Sequence, residues 1–173
     1  MKSILNFIGV KNVKELKKAI NKNETLALEF LEITKQLFKE SLTSDLKTLK
    51  GKQDLKDYLK SDMGFLKHEE FKVLFLSSSN QIVYEEILFK GTIDRSVVYP
   101  RLIIEKAIMN KAKGIIFAHN HPSGNLTPSK KDIELTLELQ EILEKLDIKL
   151  LDHIIVTDEG DYSFYENGLI EYF

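Results

Sequence analysis

Apolar residues follow two different rhythms along this chain, and the change falls just after Met63. Before it the spacing is helical. In NVKELKKAI, Val13, Leu16 and Ile20 share a face behind an asparagine that can cap. In ETLALEFLEITKQLFKESL, Leu26, Phe30, Ile33, Leu37 and Phe38 do the same, and KQDLKDYLKS predicts a shorter third helix. After Met63 the pattern becomes strand-like. FKVLFLSSSNQIVYEEILF is two apolar runs joined by a Ser/Asn turn, which predicts a hairpin. TIDRSVVYPRLIIEKAIMNKA leads into a helix with Pro100 in its first turn. KGIIFAHNH predicts a buried strand, and PSKKDIELTLELQEILEKL an amphipathic helix. IKLLDHIIVTDEGDYSFYE predicts a strand, a turn at Asp158–Gly160 and a short last strand.

Strands alternate with helices and hairpins intervene, so the expected class is α/β, more narrowly an α+β mixed sheet flanked by helices. The change of rhythm predicts two parts: a helical N-terminal region, 1–51, and a larger domain, 52–173.

Composition narrows the chemistry. The chain has no cysteine, which excludes disulfides, thiolate metal ligands and a cysteine nucleophile. Any metal site must use His, Asp and Glu, a donor set that suits zinc or a similar divalent ion. No apolar run approaches the roughly 18 residues of a membrane span, and no signal peptide is read at the N-terminus. A soluble cytoplasmic protein is expected. Residues 1–60 hold 13 Lys against 8 Asp and Glu, whereas the remainder holds 12 Lys and Arg against 19. The basic part could favour a polyanion, but it is no concentrated DNA-binding face, and it is read first as a solvated helix surface.

The stretch AHNHPSGNLTPSKKD, 118–132, carries the candidate chemistry. Side chains two apart on an extended segment point the same way, so His119 and His121 face one point. That point lies at the C-terminal end of a buried strand, where open α/β sheets bind ligands. A hydrolytic zinc site takes three protein ligands and leaves a fourth position open. Asp132, in the first turn of the next helix, is the candidate third ligand. A structural alternative stays open: Ser129-x-x-Asp132 has the spacing of a capping box, so both residues could serve only the helix start. The literal His-Asn-His is too compact to be the spread-out site of an HNH nuclease.

His-x-His, seven residues, then Ser-x-x-Asp resembles the JAMM signature of the JAB1/MPN metalloprotease superfamily. The fuller HNHPSGNLTPSKKDIELT resembles the RadC family within it. EEFKVLFL, LFKGTI, VVYPR and LLDHIIV are similar to further segments of that family, so the likeness covers about residues 52–173. It implies a JAB1/MPN-like, cytidine-deaminase-like core. It implies a zinc ion, one per chain, held by His119, His121 and Asp132. Glu69, two residues before Phe71, matches the family's general base; Glu70 would point to the opposite face. Ser129 would hydrogen-bond the developing oxyanion. The implied reaction is hydrolysis of an amide, perhaps isopeptide, bond in a protein or peptide, with Glu69 moving the proton.

Several positions carry two readings. His153 and Asp152 in LLDHIIV are read first as satisfied core residues, with a supporting role beside the zinc ligands as the alternative. Arg101 resembles a family position, but Leu102 follows where relatives often carry Glu. His68 reads as a surface residue. RadC proteins also carry a DNA-binding helix–hairpin–helix element with a Gly-hydrophobic-Gly turn; here Gly9-Val10-Lys11 lacks the second glycine. The element thus reads as degenerate or truncated, which weakens DNA binding through it. The rival function, implied by the family's association with DNA repair, is an accessory protein that uses this fold for contact.

Overall fold

The computed structural model describes residue 33 and residues 51–91 and 99–171. Apart from residue 33, which is helical, the helices expected over 12–20 and 24–42 lie outside these residues, as do the Gly9-Val10-Lys11 segment and the stretch 92–98. The third expected helix is present as α1 (Lys52–Met63). It is followed by β1 (Glu70–Leu76), β2 (Ile82–Lys90), α2 (Pro100–Met109), β3 (Gly114–Asn120), α3 (Lys130–Glu144), β4 (Lys149–Val156) and β5 (Asp161–Ser163).

The strands form one mixed sheet in the order β2-β1-β3-β4-β5. β1 pairs antiparallel with both β2 and β3, β3 pairs parallel with β4, and β4 pairs antiparallel with β5. The β1–β2 hairpin turns through Ser77–Asn80. Asn80 takes the left-handed conformation there (φ 58°), which asparagine tolerates better than most residues. The parallel β3–β4 pair needs a crossover, and α3 supplies it.

The sheet is covered on both faces. On one, Phe71, Val73, Phe75, Ile115 and Phe117 pack under Ile103 and Ala107 of α2 and Leu135, Leu139 and Leu143 of α3. On the other, Leu74, Leu76, Ile116, Ile154 and Val156 pack under Leu55, Tyr58, Leu59 and Met63 of α1. Full burial of each of the large aliphatic and Phe side chains is worth roughly 1.5–3 kcal/mol. Every residue of β1 and β3 is buried, as central strands sandwiched between helix layers require. That forces even Glu70 and Lys72 inside. Lys72 answers with Asp62 and Glu85, and Glu70 with Lys90 and His68. α1 comes close to the end of β4 at Gly64, where a Cβ would stand 2.7 Å from the Thr157 carbonyl oxygen. Among the described residues no helix is long and apolar enough to cross a membrane.

Candidate metal centre

The site lies on the α2/α3 face, at the C-terminal end of the parallel pair. His119 is the penultimate residue of β3 and fully buried; His121 stands just beyond the strand. Between them, Asn120 points the other way, accepting the Glu70 backbone N–H and donating to the His68 carbonyl. The loop then turns at Gly124, whose φ of +77° suits glycine. It reaches Ser129, the N-cap of α3. The Ser129 hydroxyl accepts the Asp132 N–H at 3.2 Å, and Asp132 Oδ2 accepts the Ser129 N–H at 2.7 Å. The expected capping box exists, and it does not compete with the site. It fixes a buried carboxylate beside the two imidazoles.

The two Nε2 atoms stand 2.9 Å apart. Asp132 Oδ1 is 3.6 Å from His119 Nε2, and Oδ2 is 3.8 Å from His121 Nε2. One ligand atom from each of the three residues can be chosen so that all lie within 4.8 Å of one another. Ligands at zinc distances of about 2.0–2.2 Å in tetrahedral array would be about 3.3 Å apart, so this donor set fits such an ion.

The outer nitrogens decide which protons these rings carry. His121 Nδ1 lies 2.5 Å from the Asn125 carbonyl oxygen. A carbonyl can only accept, so Nδ1 carries the proton and a neutral His121 offers a bare Nε2. His119 Nδ1 lies 2.8 Å from His153 Nε2. His153 is 1 % exposed, and its Nδ1 lies 2.6 Å from the Thr136 hydroxyl. The reading of His153 as a satisfied core residue accounts for its burial; its partner is one of the candidate ligands, the contact that the alternative reading required. Burial pushes the His119 imidazole down to about 4; Asp132 opposes the shift and His121 adds to it. Burial likewise holds His153 well below the ordinary histidine range, with the neighbouring His119 and His121 adding to the effect. Asp152 is turned away from these rings. It accepts from the Ser163 hydroxyl and from the Tyr165 and His153 backbone N–H groups.

Glu69 immediately precedes β1. The β1–β3 register pairs Phe71 with His119, so Glu69 falls level with His121 and, by alternation, on the face of Phe71. Its carbonyl accepts the Gly91 N–H at 2.7 Å. Glu70 faces the other way and is 5 % exposed, tied to Lys90 at 3.1 Å and His68 at 3.0 Å. It is a buried, paired carboxylate, and His68 is its half-exposed partner. Arg101 is exposed on α2.

Comparison with known proteins agrees with this architecture. The family model described as the RadC-like JAB domain matches residues 49–169. A UPF0758 protein of Fusobacterium nucleatum is 44% identical over 158 residues, 87% of this chain and 68% of the relative. One from Staphylococcus carnosus is 39% identical over 96% of this chain and 74% of the relative. One from Pseudoalteromonas translucida is 50% identical over 66% of this chain and 51% of the relative. The chain thus spans between about half and three-quarters of the length of these relatives. With a mixed sheet between helix layers, a His/His/Asp cluster at the end of β3 and this match, the chain belongs to the RadC family.

Proposed function

We propose that this protein is a zinc-dependent hydrolase of the JAMM type, cleaving an amide or isopeptide bond of a protein or peptide. The observation that carries this reading is the facing pair of imidazole nitrogens. With each Nδ1 occupied by an outer partner, His119 and His121 turn their Nε2 atoms toward one another at 2.9 Å, beside a carboxylate. Lone pairs so arranged repel unless a positive charge lies between them. A divalent ion is a positive charge that accepts all three donors at once.

Such an ion would supply Lewis acidity, polarising a carbonyl and making a water acidic enough to lose its proton near neutral pH. The chain's own residues would do the rest. His119, His121 and Asp132 hold the ion. Glu69, level with His121, takes the proton and delivers it to the leaving nitrogen. The Ser129 hydroxyl, spending a lone pair on the Asp132 N–H, keeps its proton for a developing oxyanion.

Elemental analysis of protein purified without a histidine tag tests the reading; about one zinc per chain is expected. Hydrolysis of a fluorogenic isopeptide-linked peptide pair should vanish in Glu69→Gln while zinc remains. Wild-type protein without zinc sinks the proposal. Zinc without hydrolysis, together with salt-sensitive mobility shifts of duplex DNA, would favour the accessory-protein reading instead.

A further inference from the structure

Beyond the candidate ligands, β4 and α3 contribute two buried polar side chains that form a chain of contacts ending on His119. Thr136 Oγ1 lies 2.5 Å from the Asp132 carbonyl oxygen and 2.6 Å from His153 Nδ1. His153 Nε2 lies 2.8 Å from His119 Nδ1. Thr136 and His119 are 0 % exposed and His153 is 1 % exposed, so bulk water does not compete for these bonds.

The direction of every bond follows from its far end. The Asp132 carbonyl can only accept, so Thr136 spends its single hydroxyl proton there. Thr136 Oγ1 can then only accept from His153, which must carry its proton on Nδ1. Both imidazoles are enclosed, a setting that favours the neutral ring. A neutral His153 protonated on Nδ1 has a bare Nε2, which accepts from His119. His119 is therefore protonated on Nδ1, and its Nε2 lone pair points at His121 and Asp132.

We infer that Thr136 and His153 are positioning residues: a one-way hydrogen-bond relay, anchored on the first turn of α3, that locks His119 in the tautomer able to bind a cation. The relay starts from the main-chain carbonyl of Asp132, itself a candidate ligand. The helix turn that presents the carboxylate thus also sets the proton on the imidazole opposite. The inference rests on the metal-centre reading for its purpose, but the tautomer itself can be tested without metal.

Two measurements test it. Long-range proton–nitrogen correlation spectra of the metal-free wild type should show His119 protonated on Nδ1; protonation on Nε2 overturns the inference whatever the protein binds. Zinc affinity, measured by competition with a chelating dye, should fall about 10–100-fold in Thr136→Val, a loss typical for partners of metal-binding histidines. That variant keeps the shape and removes the acceptor, and its His119 should shift toward the Nε2-protonated form. Thr136→Ser restores the hydroxyl and should bind zinc like the wild type. Equal zinc affinity in wild type and Thr136→Val overturns the relay while leaving the metal centre intact. A wild type that binds no zinc but shows the Nδ1 tautomer overturns the metal centre and keeps the relay as a structural fact.

Discussion

Asp132 Oδ2 accepts the backbone N–H of Ser129 at 2.7 Å, while Oδ1 of the same carboxylate stands 3.6 Å from His119 Nε2. One side chain starts a helix and completes a cluster that could hold a metal ion. Substitution can separate the two duties. Asp132→Asn keeps an oxygen for the Ser129 N–H, so helix α3 should stay capped, but the loss of charge should abolish zinc retention. Asp132→Ala loses both, and should cost about 1 kcal/mol more than Asp132→Asn in urea unfolding of the metal-free protein. Equal stability of the two variants would show that the carboxylate serves only the site.

Asp152 offers the pH test. It is 7 % exposed and accepts three hydrogen bonds, two of them from backbone N–H groups of His153 and Tyr165. Burial pushes its carboxyl above the ordinary aspartate value, against the pull of those bonds. The sign is then opposite to that of a salt-bridged aspartate. As pH falls through the raised folded value, the native state gains a proton before the unfolded chain does. Wild-type protein should therefore gain stability relative to Asp152→Asn on acidification, a difference that levels off once the unfolded aspartate is protonated too. Asp152→Ala, which strands the backbone donors, should cost about 2–4 kcal/mol at neutral pH. Paired urea titrations across the acidic range measure both; a relative loss of stability in acid would show that the hydrogen bonds outweigh burial.

The parts of the site that depend on short spacing were readable in sequence. His119 and His121 are two apart on an extended segment, and Ser129 and Asp132 are three apart across a helix start, so local geometry alone brings each pair together. The relay was not readable in this way. His153 meets His119 across 34 residues through the parallel β3–β4 register, which shifts between Ile115 and Ile116, and it meets Thr136 across 17 through the packing of α3 on β4. The sequence shows an isolated histidine in an apolar strand, and only the register and the overlying helix give it its two partners. The burial of Glu70 and Lys72 was hidden for a related reason. A charged residue at a strand start reads as solvated until the sheet order places the strand between two covered faces.

Lys72 shows what that placement demands. Its ammonium is 2.5 Å from Asp62, 3.6 Å from Glu85 and 3.4 Å from the Tyr58 hydroxyl, which itself donates to Glu85 at 2.6 Å. Burial and the nearby carboxylates hold the Tyr58 phenol far above its ordinary value. Lys72→Met would leave the two carboxylates without their shared cation. Since both retain partial contact with solvent, the loss should sit near the lower end of the range for broken buried pairs, about 3 kcal/mol. Zinc content of the folded fraction should not change, because the cluster lies under α1 and the donor site lies on the other face. Lost zinc at full folding would mean that the two faces are coupled.

The ends of α2 and α3 allow a gain rather than a loss. After α2, the Lys111 N–H bonds the Ile108 carbonyl at 3.0 Å and the Ala112 N–H bonds the Ala107 carbonyl at 2.9 Å, the pair of bonds that defines a Schellman stop. That stop puts Lys111 at φ 52°, and Asp147 after α3 at φ 56°, in a region where a Cβ is crowded. Glycine is the residue suited to such positions, so neither stop carries its usual signature in the sequence. Lys111 is exposed, and its side chain can be removed without emptying the core. Lys111→Gly should therefore stabilise the protein by roughly 0.5–1 kcal/mol, the relief of backbone strain exceeding the added freedom of the unfolded chain. Lys111→Ala serves as the control. It removes the same charge and stem but keeps the Cβ, and should show no such gain in the urea midpoint. A matching gain in Lys111→Ala would assign the effect to the lysine side chain and not to the left-handed backbone.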